Sequence, residues 1–190
     1  MQGLKVLAIS GSLRKDSYNR KALQIAKRLA SATQAEVEEA DLKKLALPIY
    51  DGDIEAEGVP EQVVRFKAMV EAADVLLIAS PEYNHSIPGG LKNAIDWLSR
   101  GHNSLDGKVA AILGASDGPY GTARGQIQLR YILSVLNVIV IPQPLVYIRN
   151  AADAYNPDGS FKDPKTTEIL TRLIDRALQL AAKLTSNISG

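Results

Sequence analysis

The chain has 190 residues, enough for one compact domain with a substantial core. Its 22 basic and 21 acidic side chains leave a net charge of +1, which points to neither nucleic acid nor an anionic membrane as a partner. There is no cysteine, which excludes disulfides, thiol catalysis and cysteine-held zinc or iron–sulfur centres.

Lys5 is followed by only five apolar or small residues before a polar loop, too few for a secretory leader. No apolar run approaches the roughly 20 residues that span a bilayer, so a cytoplasmic protein is expected. Lys5–Ile9 is nearly all apolar without alternation, as in a strand buried on both faces of a parallel sheet. The polar loop Ser10–Asn19 follows it. Ala22, Ile25, Ala26 and Leu29 then form a helical stripe. Glu36–Ala40 alternates and suits an edge strand. Leu42–Pro60 reads as a long loop, and Val63, Phe66 and Val70 as a second helical stripe. Asp74–Ala79 is another buried strand, followed by the loop Ser80–Ile87 and a third stripe of Leu91, Ala94, Ile95 and Leu98. Lys108–Leu113 and Val138–Ile141 complete the strands. Between them Gln126–Leu136 is apolar on more than one face, as if buried against a partner as well as the sheet. After the loop Asn150–Pro164 comes a strong last stripe, Ile169, Leu170, Leu173, Ile174, Ala177 and Leu178. Asp106-Gly107 and Pro157-Asp158-Gly159 are plain turns. Strand and helix alternate five times, which predicts a doubly wound α/β sandwich in a single domain over 1–190.

Ligands of such folds bind beyond the carboxyl ends of the strands, where strand order reverses. Three polar segments leave strands there. Ser10-Gly11-Ser12-Leu13-Arg14-Lys15-Asp16-Ser17-Tyr18-Asn19 lies where a strand turns into a helix. Unpaired N–H groups and the helix dipole favour an anion at such a place, and hydroxyls and Arg14 add donors. It is neither a Walker loop nor a dinucleotide fingerprint, and Ser17 would also serve as a plain N-cap. Ser80–Asn93 is stiffened by Pro81 and Pro88, and Pro88 suits a first helical turn. A stiff loop with an aromatic, an amide and free backbone groups suits a flat heteroaromatic ring. The alternative is a rigid connector with Tyr83 packed on its own helix. Glu82 is a candidate general base but reads more readily as a solvated or interface carboxylate, and His85 more readily as a surface or hydrogen-bonding residue than as a catalyst. Gly114–Gly121 lets backbone pass close to a ligand, or is only a long turn. His85 and His102 lie in different loops without a carboxylate cluster, against a metal site. No nucleophile–base–acid set can be assembled, so a cofactor is expected to carry the chemistry.

Two motifs carry a resemblance. One is Gly11-Ser12-Leu13-Arg14 with Ser17 and Asn19. The other is Ser80-Pro81-Glu82-Tyr83-Asn84, continuing through Ile87-Pro88-Gly89-Gly90-Leu91-Lys92-Asn93-Ala94-Ile95-Asp96-Trp97. The chain resembles the NADPH-dependent FMN reductase family, flavodoxin-like proteins that include quinone, chromate and azo-dye reductases. It is most similar to the bacterial chromate/quinone reductase branch. The resemblance implies a five-stranded parallel sheet of order 2-1-3-4-5 with helices on both faces. It implies non-covalent FMN, NAD(P)H as co-substrate, and no catalytic side chain. Ser10, Ser12, Arg14, Ser17 and Asn19 would surround the phosphate. Pro81, Glu82, Tyr83 and Asn84 would line the isoalloxazine, and Ser116 and Gly118 would close the other side. His85 stands where tyrosine is common in relatives, which bears on the acceptor pocket.

The family also implies a homodimer or homotetramer with the flavin near the subunit interface. Gln126–Leu136 and the second helix are the candidate interface elements. Tyr50 and Asp51 would reach a partner's flavin, and Arg100 would bind an anionic substrate or the NADPH phosphate. The implied reaction moves two electrons by hydride transfer from NAD(P)H through FMN to quinones, chromate or similar acceptors. The alternative is a flavodoxin-type electron carrier, which the near-neutral charge disfavours because such carriers steer by acidity. A phosphate-binding regulatory module is the third reading.

Overall fold

Strands without alternation need cover on both sides, and the structure, a computed structural model describing residues 3–188, provides it. Its strands are β1 (Lys5–Ser10), β2 (Glu36–Ala40), β3 (Val75–Ala79), β4 (Val109–Ala115), β5 (Ile139–Val140) and β6 (Val146–Ile148). Its helices are α1 (Tyr18–Ala32), α2 (Leu42–Leu45), α3 (Gly52–Glu57), α4 (Glu61–Ala72), α5 (Gly89–Ser99), α6 (Ala123–Val135) and α7 (Pro164–Ile188). The strands are parallel in the order β2-β1-β3-β4-β5, with β6 also paired to β4. This is the expected flavodoxin-like order. Val6 stands beside Val37 and Val75, and Val75 beside Val109.

Neighbouring residues of the central strands enter opposite cores, as the pleat requires. Val6, Ala8, Leu77, Ala111 and Leu113 pack under α1 and α7 with Leu23, Ala26, Leu173 and Ala177. Leu7, Ile9, Leu76, Ile78, Ala110 and Ile112 pack on the other side with Phe66, Leu91, Ile95, Leu129 and Leu133. β2 pairs only with β1 and alternates because it is an edge.

Three expectations change. The predicted loop Leu42–Pro60 contains α2 and α3. Both are too short to show an apolar period, and both start at an aspartate: Asp41 accepts the Lys43 and Lys44 N–H groups, and Asp51 that of Asp53. The five-strand order holds, but the fifth strand position is split, so six strands are present among the described residues. β5 covers only Ile139–Val140 of the predicted Val138–Ile141, and the unforeseen β6 resumes the edge on β4. Pro142 and Pro144 lie between them and have no N–H to offer a ladder. Asn150–Pro164 is not wholly irregular, since Tyr155 and Phe161 pair in an antiparallel bridge.

Candidate cofactor site

Each loop at the carboxyl edge is fastened to the next strand. The Gly11 N–H donates to the Ala79 carbonyl at 2.8 Å, Ser80 to Leu113 at 3.0 Å and Ser116 to Ile148 at 3.0 Å. The loops after β1, β3 and β4 therefore meet over the sheet, where α1 and α5 leave toward opposite faces.

A cavity of about 150 Å³ lies between them. It brings together Ser12, Arg14, Ser17, Asn19, Pro81, Glu82, Tyr83 and Ser116 of the sequence-derived residues, and adds Tyr18, Ala115 and Asp117. A second cavity of about 280 Å³ adjoins it through Arg14 and Tyr83 and is walled by Gly11, Leu13, Pro88, Gly89 and Gly90. One end is polar and the other mostly apolar.

The polar end is built on the start of α1. Ser17 is its N-cap, accepting the Asn19 N–H at 3.2 Å and the Arg20 N–H at 3.4 Å. Ser12 accepts the Arg14 N–H at 3.4 Å. Ser10 is buried behind the loop, where its hydroxyl accepts the Ser12 N–H at 3.3 Å. It shapes the loop without lining the cavity. Asn19 lines it, but its amide is committed elsewhere: Nδ2 donates to the Ala115 carbonyl at 2.8 Å, and Oδ1 accepts the Ala115 N–H at 2.9 Å. Its side chain is therefore a clamp between α1 and β4 rather than a free phosphate donor. Arg14 is exposed and has no carboxylate partner among the described residues.

The far wall is Ser116 and Asp117. Ser116 Oγ accepts the Gly118 N–H at 3.1 Å, so Gly118 supports the wall from behind. Asp117 Oδ1 accepts the Ala152 N–H at 2.6 Å. Desolvation and then the Asp117 charge hold the Tyr18 phenol above its ordinary pKa, against Arg14. The Tyr155 hydroxyl donates to the Tyr18 carbonyl at 2.7 Å, tying the Asn150–Pro164 segment to the site. Tyr18 and Asp117 gave no motif signal. Their places beside Ser17 and Ser116 in two candidate loops were the only hint.

Asn84 and His85 do not line the cavity. They are the two central residues of a tight turn, at φ of 50° and 66°, and Tyr83 and Ser86 exchange two backbone hydrogen bonds of 2.9 and 3.0 Å across it. His85 is exposed at the tip. Tyr50, Asp51 and Arg100 are not in this chain's cavity either. Tyr50 packs edge-on against Trp97 at 5.0 Å, Arg100 lies 5.3 Å above the Tyr50 ring, and Asp51 caps α3. A larger groove of about 600 Å³ follows β2; part of its charge is engaged in the Arg20–Asp41 pair and the Gln24–Glu39 bond, and none of the sequence-derived site residues lines it.

The donor set suits one anionic end group. The N–H groups of Leu13 and Lys15 find no acceptor among the described residues, and Arg14 has no carboxylate partner among them. The apolar cavity beyond Tyr83 suits a flat ring. A phosphorylated flavin has both parts, so the residues present fit FMN.

The model of the family described as NADPH-dependent FMN reductase matches residues 4–153. The chain is 47% identical over 178 residues to an NAD(P)H-dependent FMN reductase of Pseudomonas aeruginosa, covering 93% of this chain and 94% of that one. It is 37% identical over 175 residues to a 2-hydroxy-1,4-benzoquinone reductase of a Burkholderia species, covering 91% and 93%. Among solved structures, the flavoenzyme FerB from Paracoccus denitrificans, an NAD(P)H:(acceptor) oxidoreductase, superposes with a TM-score of 0.85 at 38% identity. That match covers 95% of this chain and 98% of FerB.

Proposed function

Because the chain belongs to the NADPH-dependent FMN reductase family, we propose that it is an FMN-dependent NAD(P)H oxidoreductase whose acceptors are quinones. FMN, when bound, would supply two-electron redox chemistry between NAD(P)H and the acceptor. The protein binds and orients. In this reading Arg14, Ser12 and the loop N–H groups hold the phosphate, and Ser17 keeps the first turn of α1 in place beneath it. Pro81 and Tyr83 present rigid backbone and an aromatic edge along the ring. Ser116 and Asp117 close the opposite wall.

The observation that carries this reading is the joining of the Ser12–Asn19 loop and the Tyr83 hairpin across two adjoining cavities. Stopped-flow mixing tests it. Protein loaded with FMN should lose its visible flavin band on mixing with NADPH and regain it with benzoquinone, without a second protein. Protein that stays colourless after incubation with FMN and desalting overturns the flavin assignment. A flavin band that neither NADPH nor NADH bleaches overturns the enzyme reading in favour of a carrier.

The same reading takes the functional unit as a homodimer or homotetramer. Ile127, Tyr131 and Val135 recur four apart on α6 and are 60%, 68% and 68% exposed, a face suited to a second copy. Tyr50, Asp51 and Arg100 would then border a partner's cavity, with Arg100 offering charge to an anionic acceptor such as chromate or to the NADPH phosphate. The location that accompanies this function is the cytoplasm. No helix among the described residues is long and apolar enough to cross a membrane.

A further inference from the structure

We infer that Glu82 is a positioning residue: its carboxylate caps the N-terminus of α6 from the loop after β3 and so sets where the Pro81–Tyr83 segment lies against the flavin ring. The inference rests on the flavin reading above and concerns the same site.

The first N–H groups of a helix have no partner within it. At the start of α6 the N-cap residue, Thr122, has a φ of 73° and makes no side-chain capping bond. The acceptor comes from another element. The Gly125 N–H donates to Glu82 Oε2 at 2.9 Å, and Arg124 Nε donates to Glu82 Oε1 at 2.8 Å. A carboxylate is the favoured group at a helix N-terminus, and the Glu82 side chain is only 9% exposed, so water screens its bond to the Gly125 N–H little, while the Arg124 side chain is 39% exposed.

The steric fit points the same way. A Cβ on residue 125 would stand 3.1 Å from the Ser86 carbonyl oxygen and 3.2 Å from Glu82 Cβ. Glycine at 125 lets Ser86, which closes the turn, and Glu82, which precedes it, rest on the bare helix backbone. Arg124 also lies 4.2 Å above the ring of Tyr120, a residue of the loop after β4. One side chain thus joins the second and third loops of the site. Each Glu82 oxygen already accepts a bond from α6, which makes the residue a fastener of the flavin loop rather than a base acting on substrate.

The experiment compares parent, Glu82→Gln, Arg124→Met and the double variant. FMN affinity is read by flavin fluorescence, and amide exchange by mass spectrometry on cofactor-free protein. Glu82→Gln should weaken FMN binding about tenfold, a fraction of what hydrogen bonds to a charged group contribute. Its excess exchange should be confined to residues 80–88 and 123–126. The double variant should be no weaker than the worse single one, because both remove one clamp. At saturating FMN, the pH profile of kcat should keep both its limbs, because a fastener of the loop carries no proton in the reaction. Unchanged affinity with unchanged exchange overturns the inference. So does a lost kcat with a lost limb of the pH profile, which would make Glu82 a base. If the parent itself binds no FMN, the flavin reading fails, while the exchange data still decide whether Glu82 fastens the loop. Should Glu82→Gln not fold, Arg124→Met removes one of the two bonds and carries the same comparison.

Discussion

Asn19 spends its whole amide on the backbone of Ala115, while Arg14, five residues earlier, makes no ion pair among the described residues. The two should therefore fail differently. Asn19→Ala strands a buried donor and acceptor, which should cost about 2–3 kcal/mol of stability. A urea titration measures it, and an unchanged midpoint would contradict the clamp. Arg14→Met touches no internal bond. FMN affinity should fall roughly 10- to 100-fold, as expected for losing a charge-assisted contact, with the urea midpoint unmoved. Isothermal titration with FMN gives the first quantity. Retention of full affinity would move the phosphate elsewhere.

Between elements, small polar groups do the joining. Asp41 caps α2 and also pairs with Arg20 of α1 at 3.2 Å. Desolvation raises its pKa, but the Arg20 bonds and charge and the Lys43 and Lys44 N–H groups outweigh that, so the net direction is downward. A carboxyl lowered by folding stabilises above its unfolded pKa and loses that contribution as pH falls through the folded value. Asp41→Asn keeps a capping side chain and removes the charge. The variant should be less stable than the parent near neutrality by about 1 kcal/mol, and the gap should close below about pH 4. Urea midpoints across that range decide it, and a gap independent of pH would remove the ionic component. At the opposite end of the sheet, the Lys67 ammonium donates to the Leu98, Arg100 and His102 carbonyls, closing the end of α5. Lys67→Met should cost about 1–2 kcal/mol by leaving those carbonyls to water or unpaired. Thermal melting checks it, and an unchanged melting temperature would show that water replaces the ammonium without cost.

For the molecule as a whole, α6 connects two surfaces. Its first turn holds the flavin loop through Glu82, and its outer face carries Ile127, Tyr131 and Val135. Tyr131→Asp places a charge in the middle of that face without touching the core under Leu129 and Leu133. Sedimentation should show the parent as a dimer or tetramer and the variant shifted toward monomer. Equal association of the two would assign the face to another use.

Much of this was legible in the residues themselves. The buried strands announced themselves because cover on both faces erases alternation, and the loops of the site because glycine, proline and hydroxyl residues have distinct backbone chemistry. Ser12, Arg14, Ser17 and Tyr83 could be named from that pattern together with the resemblance to a family. Other features required the fold. Asn19 looks like one more polar residue of a phosphate loop until β4 is brought alongside it, 96 residues away. β6 escaped notice because a three-residue strand has no period to detect, and only pairing with β4 makes it one. Glu82 reads in sequence as a solvated or interface carboxylate, or a base, and becomes a helix cap once Gly125 is beneath it. Local chemistry, carried by neighbours along the chain, specified the longer elements and the candidate anion-binding loop. The tasks of individual side chains were decided by partners distant in sequence, which only tertiary packing brings within hydrogen-bonding distance.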